Sequence, residues 1–123
     1  MFTIDTNILI YYASGDKTIA RFLLEQIEKK IPLIIPTIVV AEFLSFPALK
    51  PTEQKIFSKL LKGLRVCSLT FEIAKQASHL RKKYKILLAD AVIAATAQQT
   101  KSVLITRNFK HFRKIKEIRV KSI

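Results

Sequence analysis

Short apolar runs alternating with helix-like stretches predict an α/β fold around a central, mainly parallel five-stranded sheet. Three observations carry this. Five strand candidates occur, at 2–4, 33–35, 66–69, 103–106 and 118–120. The segments between them place apolar residues three and four apart, the spacing of one helix face. No repeat, low-complexity tract or linker divides the 123 residues, a length that suits one domain with a real core. Residues 1–123 are therefore read as a single domain.

Phe2–Ile4 opens as a buried strand and runs into Asp5-Thr6-Asn7, good helix-capping residues, with Ile8–Ala13 continuing as helix. Ser14-Gly15-Asp16 breaks it, and Ile19, Phe22, Leu23 and Ile27 mark the next helix face. Leu33-Ile34-Ile35 lies between Pro32 and Pro36 and reads as a strand. Thr37 then caps a helix over 38–46, stopped by Pro47 and carrying Glu42 in its middle. Pro51 starts a helix with Ile56, Leu60 and Leu64 as its expected buried stripe, ended by Gly63. Val66–Leu69 is expected to be a buried strand, with Cys67 a small buried hydrophobe. Thr70 caps a helix lined by Ile73, Ala77, Leu80 and Tyr84, and Arg81-Lys82-Lys83 suits the negative end of its dipole. An Ala-rich helix from Leu88 to Gln99 carries Asp90 near its start, a strand covers 103–106, and residues 108–114 read as a loop or short turn.

Net charge is +13, from 22 Lys plus Arg against 9 Asp plus Glu, and such a surface attracts polyanions. The single cysteine excludes an internal disulfide and any C-x-x-C metal or redox site. The amino terminus lacks a basic leader segment, and the longest apolar window, 31–41, holds two prolines and is too short for a bilayer. The expected location is cytoplasmic, with no membrane association.

Three of the nine acids stand in apolar surroundings: Asp5 after Phe2-Thr3-Ile4, Glu42 after Ile38-Val39-Val40-Ala41, and Asp90 inside Leu88–Ala95. The other six read as solvated surface charges. Buried carboxylates are costly unless paired, protonated or metal-bound. Three of them in a strongly basic chain point to a divalent cation held beside an anionic substrate, the chemistry of a metal-dependent nuclease. An all-oxygen donor set suits Mg²⁺ and argues against zinc. Each residue also has a plain reading: Asp5 and Asp90 as helix caps, Glu42 as an exposed helical residue, Asn108 as a turn residue. In a parallel sheet, sites form beyond the carboxyl ends of strands near a switch in strand order, a placement open to all four.

The ordered words Phe2-Thr3-Ile4-Asp5-Thr6-Asn7-Ile8-Leu9, Val40-Ala41-Glu42-Phe43, Leu88-Ala89-Asp90-Ala91-Val92-Ile93-Ala94-Ala95-Thr96-Ala97 and Leu104-Ile105-Thr106-Arg107-Asn108-Phe109-Lys110-His111-Phe112 resemble the PIN domain, most closely VapC-type toxins of prokaryotic toxin–antitoxin modules. The resemblance spans residues 1 to about 120. It implies a three-layer α/β/α domain and a Mg²⁺- or Mn²⁺-dependent endoribonuclease leaving 5′-phosphates. It further implies a homodimer and a cognate antitoxin partner. Asp5, Glu42 and Asp90 match the metal-binding acids of the pattern. Asn108 falls where many members carry a fourth acid, so a second metal is in question here.

Thr6, Asn7 and Thr106 are candidates to hydrogen-bond metal ligands or water, and Arg107 to meet a phosphate. Arg81, Lys82, Lys83, Lys85, Lys110, Arg113 and Lys114 are candidate contacts to the RNA backbone. His79 reads as solvated, His111 as packed or exposed rather than catalytic, and Tyr11 and Tyr12 as core or interface. The neutral Asn108 motivates a rival reading, a catalytically silent RNA-binding module on the same fold. A phosphoryl-transfer domain of receiver or haloacid-dehalogenase type ranks lower, because no second acid accompanies Asp5.

Overall fold

The computed structural model describes residues 1–123. Its chain order is β1 (Phe2–Ile4), α1 (Thr6–Ala13), α2 (Lys17–Glu28), β2 (Leu33–Pro36), α3 (Thr37–Leu44), α4 (Pro51–Leu61), β3 (Arg65–Cys67), α5 (Phe71–Tyr84), α6 (Leu88–Thr100), β4 (Val103–Ile105), α7 (Phe109–Phe112) and β5 (Arg119–Lys121). The five strands form one sheet in the order β3-β2-β1-β4-β5, and every pairing is parallel. The expected sheet is thus present and wholly parallel.

Successive strand residues point to opposite faces. All four residues of β2 are buried, so helices cover the sheet on both sides. Ile4, Ile35, Leu104 and Ile105 meet Ile8, Leu23, Val39, Phe43, Leu80, Ile93 and Phe112 in one core. Helix α6 is the most enclosed helix, with Ala91–Ala97 all buried. Its small side chains let α6 lie close to neighbouring elements. No helix is long and apolar enough to cross a membrane.

Local chemistry accounts for the punctuation. Asp16 caps α2 by accepting from the Ile19 N–H at 3.0 Å, and Thr70 caps α5 through the Ile73 N–H at 3.2 Å. Glu53 accepts from the Lys50 N–H at 3.0 Å, closing the start of α4 behind Pro51. Helix α3 starts at Thr37 but without a side-chain cap, the extended Pro36 standing in front of it.

Several expectations change. The buried face of α4 is set by Phe57 and Leu60, while Ile56 is exposed. β3 is an edge strand, so Val66 and Leu69 are about half exposed and Cys67 is only half-buried. Residues 109–112 form a short helix where a loop or turn was expected. Four of the six acids read as solvated are instead bonded: Glu53 to the Lys50 N–H, Glu25 to Lys29 Nζ at 2.5 Å, and the half-buried Asp16 and Glu117. Asp16 takes Arg107 Nη1 at 2.8 Å, and Glu117 takes Tyr84 Oη at 2.5 Å and Lys83 Nζ at 3.2 Å.

Candidate functional site

The strand order reverses around β1. The chain passes from β1 to β2 on one side, and later places β4 on the other. Ile4 pairs with Ile105, so Asp5 and Thr106 leave the carboxyl ends of neighbouring strands side by side. The Asp5 N–H donates to the Ile105 carbonyl at 3.1 Å, which fixes the turn from β1 into α1. A crevice at such a switch point is where open parallel sheets bind ligands.

Asp5 is 5% exposed. Its Oδ1 accepts from the Thr6 N–H at 2.7 Å, and its Oδ2 accepts from Thr106 Oγ1 at 2.7 Å. The residue is both the cap of α1 and a buried carboxylate at the switch point. Burial is the main cause that raises its pKa from 3.8 to about 6. The hydrogen bonds from Thr106 and Thr6 oppose the rise, and the nearby charges of Asp90 and Glu42 add to it. The three acids therefore share one electrostatic neighbourhood.

Glu42 reaches the site from the middle of α3, where its Oε1 accepts from Thr6 Oγ1 at 2.6 Å. Asp90 arrives on the first turn of α6, three residues after the extended Leu87 that precedes the helix. It is not the cap. Its Oδ2 lies 2.9 Å from His111 Nε2 on α7. Thr106 is fully buried and works as a hub: besides donating to Asp5, it accepts from the Asn108 N–H at 2.9 Å and from Asn7 Nδ2 at 3.5 Å. Asn7 Oδ1 in turn accepts from the Arg107 N–H at 3.4 Å.

Asn108 is exposed; its backbone N–H, not its amide, is tied into this network. The Arg107 guanidinium is already engaged. It bonds Asp16 and, through Nε at 3.0 Å, the Ile123 carbonyl, and its guanidinium carbon stands 4.7 Å from the centre of the Tyr11 ring. Tyr11 is thus a partly exposed lid on an arginine rather than core. His111 is half-buried, and its contact with Asp90 is not foreshadowed by the sequence. Its only signal was its place three positions after Asn108, within one helical turn of the site.

No three His, Cys, Asp or Glu side chains converge closely enough to enclose a metal ion. Each acid rests on its own donor: Asp5 on Thr106, Glu42 on Thr6, Asp90 on His111. The donor set is nonetheless three carboxylates, one of them raised in pKa by burial and by the other two charges. A hard divalent cation would relieve that repulsion, and its oxygen preference matches the groups present.

Comparison with known proteins shows the family of the chain. Residues 2–118 match the PIN domain family model. Ribonuclease VapC10 of Mycobacterium tuberculosis is 32% identical over 117 residues, covering 91% of this chain and 86% of the relative. Ribonuclease VapC2 of Methanocaldococcus jannaschii is 32% identical over 112 residues, covering 76% of this chain and 74% of the relative. Among solved structures, a toxin–antitoxin complex from Klebsiella pneumoniae aligns with TM-score 0.79 and 33% identity, over 96% of this chain and 95% of the other. VapBC2 from Rickettsia felis, bound to promoter DNA, aligns at TM-score 0.86 and 22% identity over 99% and 98% of the two chains, a likeness of fold. With its switch-point acids and a family match that runs nearly end to end, this chain belongs to the PIN domain family.

Proposed function

We propose that this protein is a metal-dependent endoribonuclease, the toxin of a toxin–antitoxin pair, with Asp5, Glu42 and Asp90 holding Mg²⁺ or Mn²⁺. The observation that carries the reading is the buried Asp5 at the β1–β4 switch point, its pKa raised partly by the charges of Asp90 and Glu42. Relatives with 32% identity named as VapC ribonucleases support the reaction class. The related complex from Klebsiella pneumoniae supports an antitoxin partner. A homodimer is part of the same proposal.

When bound, the cation supplies Lewis acidity toward a phosphate oxygen and lowers the pKa of water. The protein's own contribution is orientation. Thr106 and the Thr6 N–H hold the two oxygens of Asp5, and the Thr6 hydroxyl holds Glu42. Thr6, Asn7 and Thr106 thus act behind the acids. Asn108 stands exposed at the rim, where its neutral amide would assist a phosphate or a weakly held second ion. Arg107 braces the β4 turn through Asp16 and Ile123, which leaves phosphate contact to the exposed basic residues Lys85, Lys110, Arg113 and Lys114.

The test is incubation of a mixed cellular RNA pool with purified protein in Mn²⁺ or in EDTA. The expected result is cuts at few sites with 5′-phosphate ends, present in Mn²⁺ and absent in EDTA. Tight, salt-sensitive RNA binding without cleavage at any metal concentration would instead establish the silent binding module.

A further inference from the structure

We propose that His111 is a positioning residue for Asp90, holding one carboxylate oxygen so that the other is presented to the cation. The inference rests on the reading of Asp90 as a cation-holding acid. His111 Nε2 meets Asp90 Oδ2 at 2.9 Å and leaves Oδ1 without a protein donor. With Asp90 ionised, Nε2 carries hydrogen and donates.

The backbone that carries the imidazole is anchored in α7. The His111 backbone N–H donates to the Asn108 carbonyl at 3.2 Å. Its ring stands edge-on to Phe112, with centroids 5.2 Å apart and planes at 83°. Phe112 is completely buried and anchors α7 in the core. One turn of α7 therefore serves two acids: Asn108 at its start bonds Thr106 behind Asp5, and His111 bonds Asp90. With Thr6 behind Glu42, every acid of the site has one side-chain donor of its own. This is the arrangement by which outer partners orient ligating carboxylates, and losing such a partner typically weakens metal binding about 10–100-fold.

The experiment is calorimetric titration of Mn²⁺ into wild type, His111→Leu, His111→Gln and Asp90→Asn at one pH, with thermal unfolding in EDTA alongside. Leucine keeps the packing against Phe112 and lacks the donor; the glutamine amide can still donate to Asp90. We expect His111→Leu to bind Mn²⁺ about 10–100-fold more weakly than wild type, with metal-free unfolding little changed and His111→Gln recovering much of the affinity. Wild-type affinity in His111→Leu, while Asp90→Asn loses binding, overturns this role and leaves the site standing. Equal losses in His111→Gln and His111→Leu also overturn it, because the imidazole would then be needed as a ligand itself. Absence of Mn²⁺ binding by wild type overturns both the site and this inference. If His111→Leu does not fold, the comparison of His111→Gln with wild type decides, near-wild-type affinity being the expected result and a 100-fold loss the contrary one.

Discussion

Asp5 is where burial, hydrogen bonding and like charge meet on one carboxyl. Its raised pKa makes the ionised form costly in the folded protein. The group therefore favours folding most below pH 3.8, and that contribution is lost as pH rises through about 6. A shift of this size corresponds to roughly 3 kcal/mol. In EDTA, wild type should thus lose stability relative to Asp5→Asn between about pH 4 and 6, by urea unfolding; parallel pH profiles would contradict this. Saturating Mn²⁺ should restore wild type and leave Asp5→Asn behind. Thr106→Val removes the hydroxyl donor while keeping the shape, and should destabilise the metal-free protein by about 1–3 kcal/mol above pH 7 in the same assay.

At the scale of elements, side-chain bonds join helices to the segments that lead into strands. Tyr84, near the end of α5, donates to Glu117 at 2.5 Å and accepts from the Lys116 N–H at 3.1 Å. That joint ties the basic end of α5 to the segment between α7 and β5. The Tyr84 hydroxyl, more than the Lys83 ammonium, holds the Glu117 carboxyl below its usual range. Tyr84→Phe should cost about 1–3 kcal/mol in thermal or urea unfolding, with secondary structure retained. Elements were legible in the sequence wherever a periodic apolar face coincided with a cap or a proline, as in α2, α4 and α5. They were less legible where tertiary placement decides. Val66–Leu69 has the composition of a buried strand, yet β3 lies at the sheet edge, which composition does not report. Phe57 and Ile56 are both apolar neighbours on α4, and only the packed partner Phe43, with ring centroids 4.4 Å apart, selects Phe57. Gly63 follows α4 as expected, but for space: a Cβ there would come within 3.0 Å of Ile27 Cδ1. The acids of the candidate site stood out in the sequence because carboxylates in apolar runs demand a reason. His111 was not, because a histidine between Lys110 and Phe112 carries no such demand until α7 turns it toward α6.

Across the whole molecule, a chain of net charge +13 carries three acids at its candidate site. On the proposed reading the basic surface attracts a polyanion, and carboxylates would repel its phosphates unless a cation intervened. Binding of single-stranded RNA by Asp5→Asn should therefore persist and weaken steeply with salt. The slope of log affinity against log salt should be about −0.7 for each phosphate neutralised. Salt-independent binding would place recognition elsewhere than on the basic surface. Cleavage and binding separate on this view: the acids govern the first and the lysines the second.

The most direct measurement is the single-turnover cleavage rate, in saturating Mn²⁺, of one RNA that the wild type cuts, for Asp5→Asn, Glu42→Gln, Asp90→Asn and the double variant Asp5→Asn with Asp90→Asn. If the three carboxylates hold one cation, each single variant loses most of the rate and the double variant loses little more, because groups acting as a unit are strongly non-additive. A single variant that keeps the full rate, or a double variant whose loss is the product of the two single losses, would contradict a shared site.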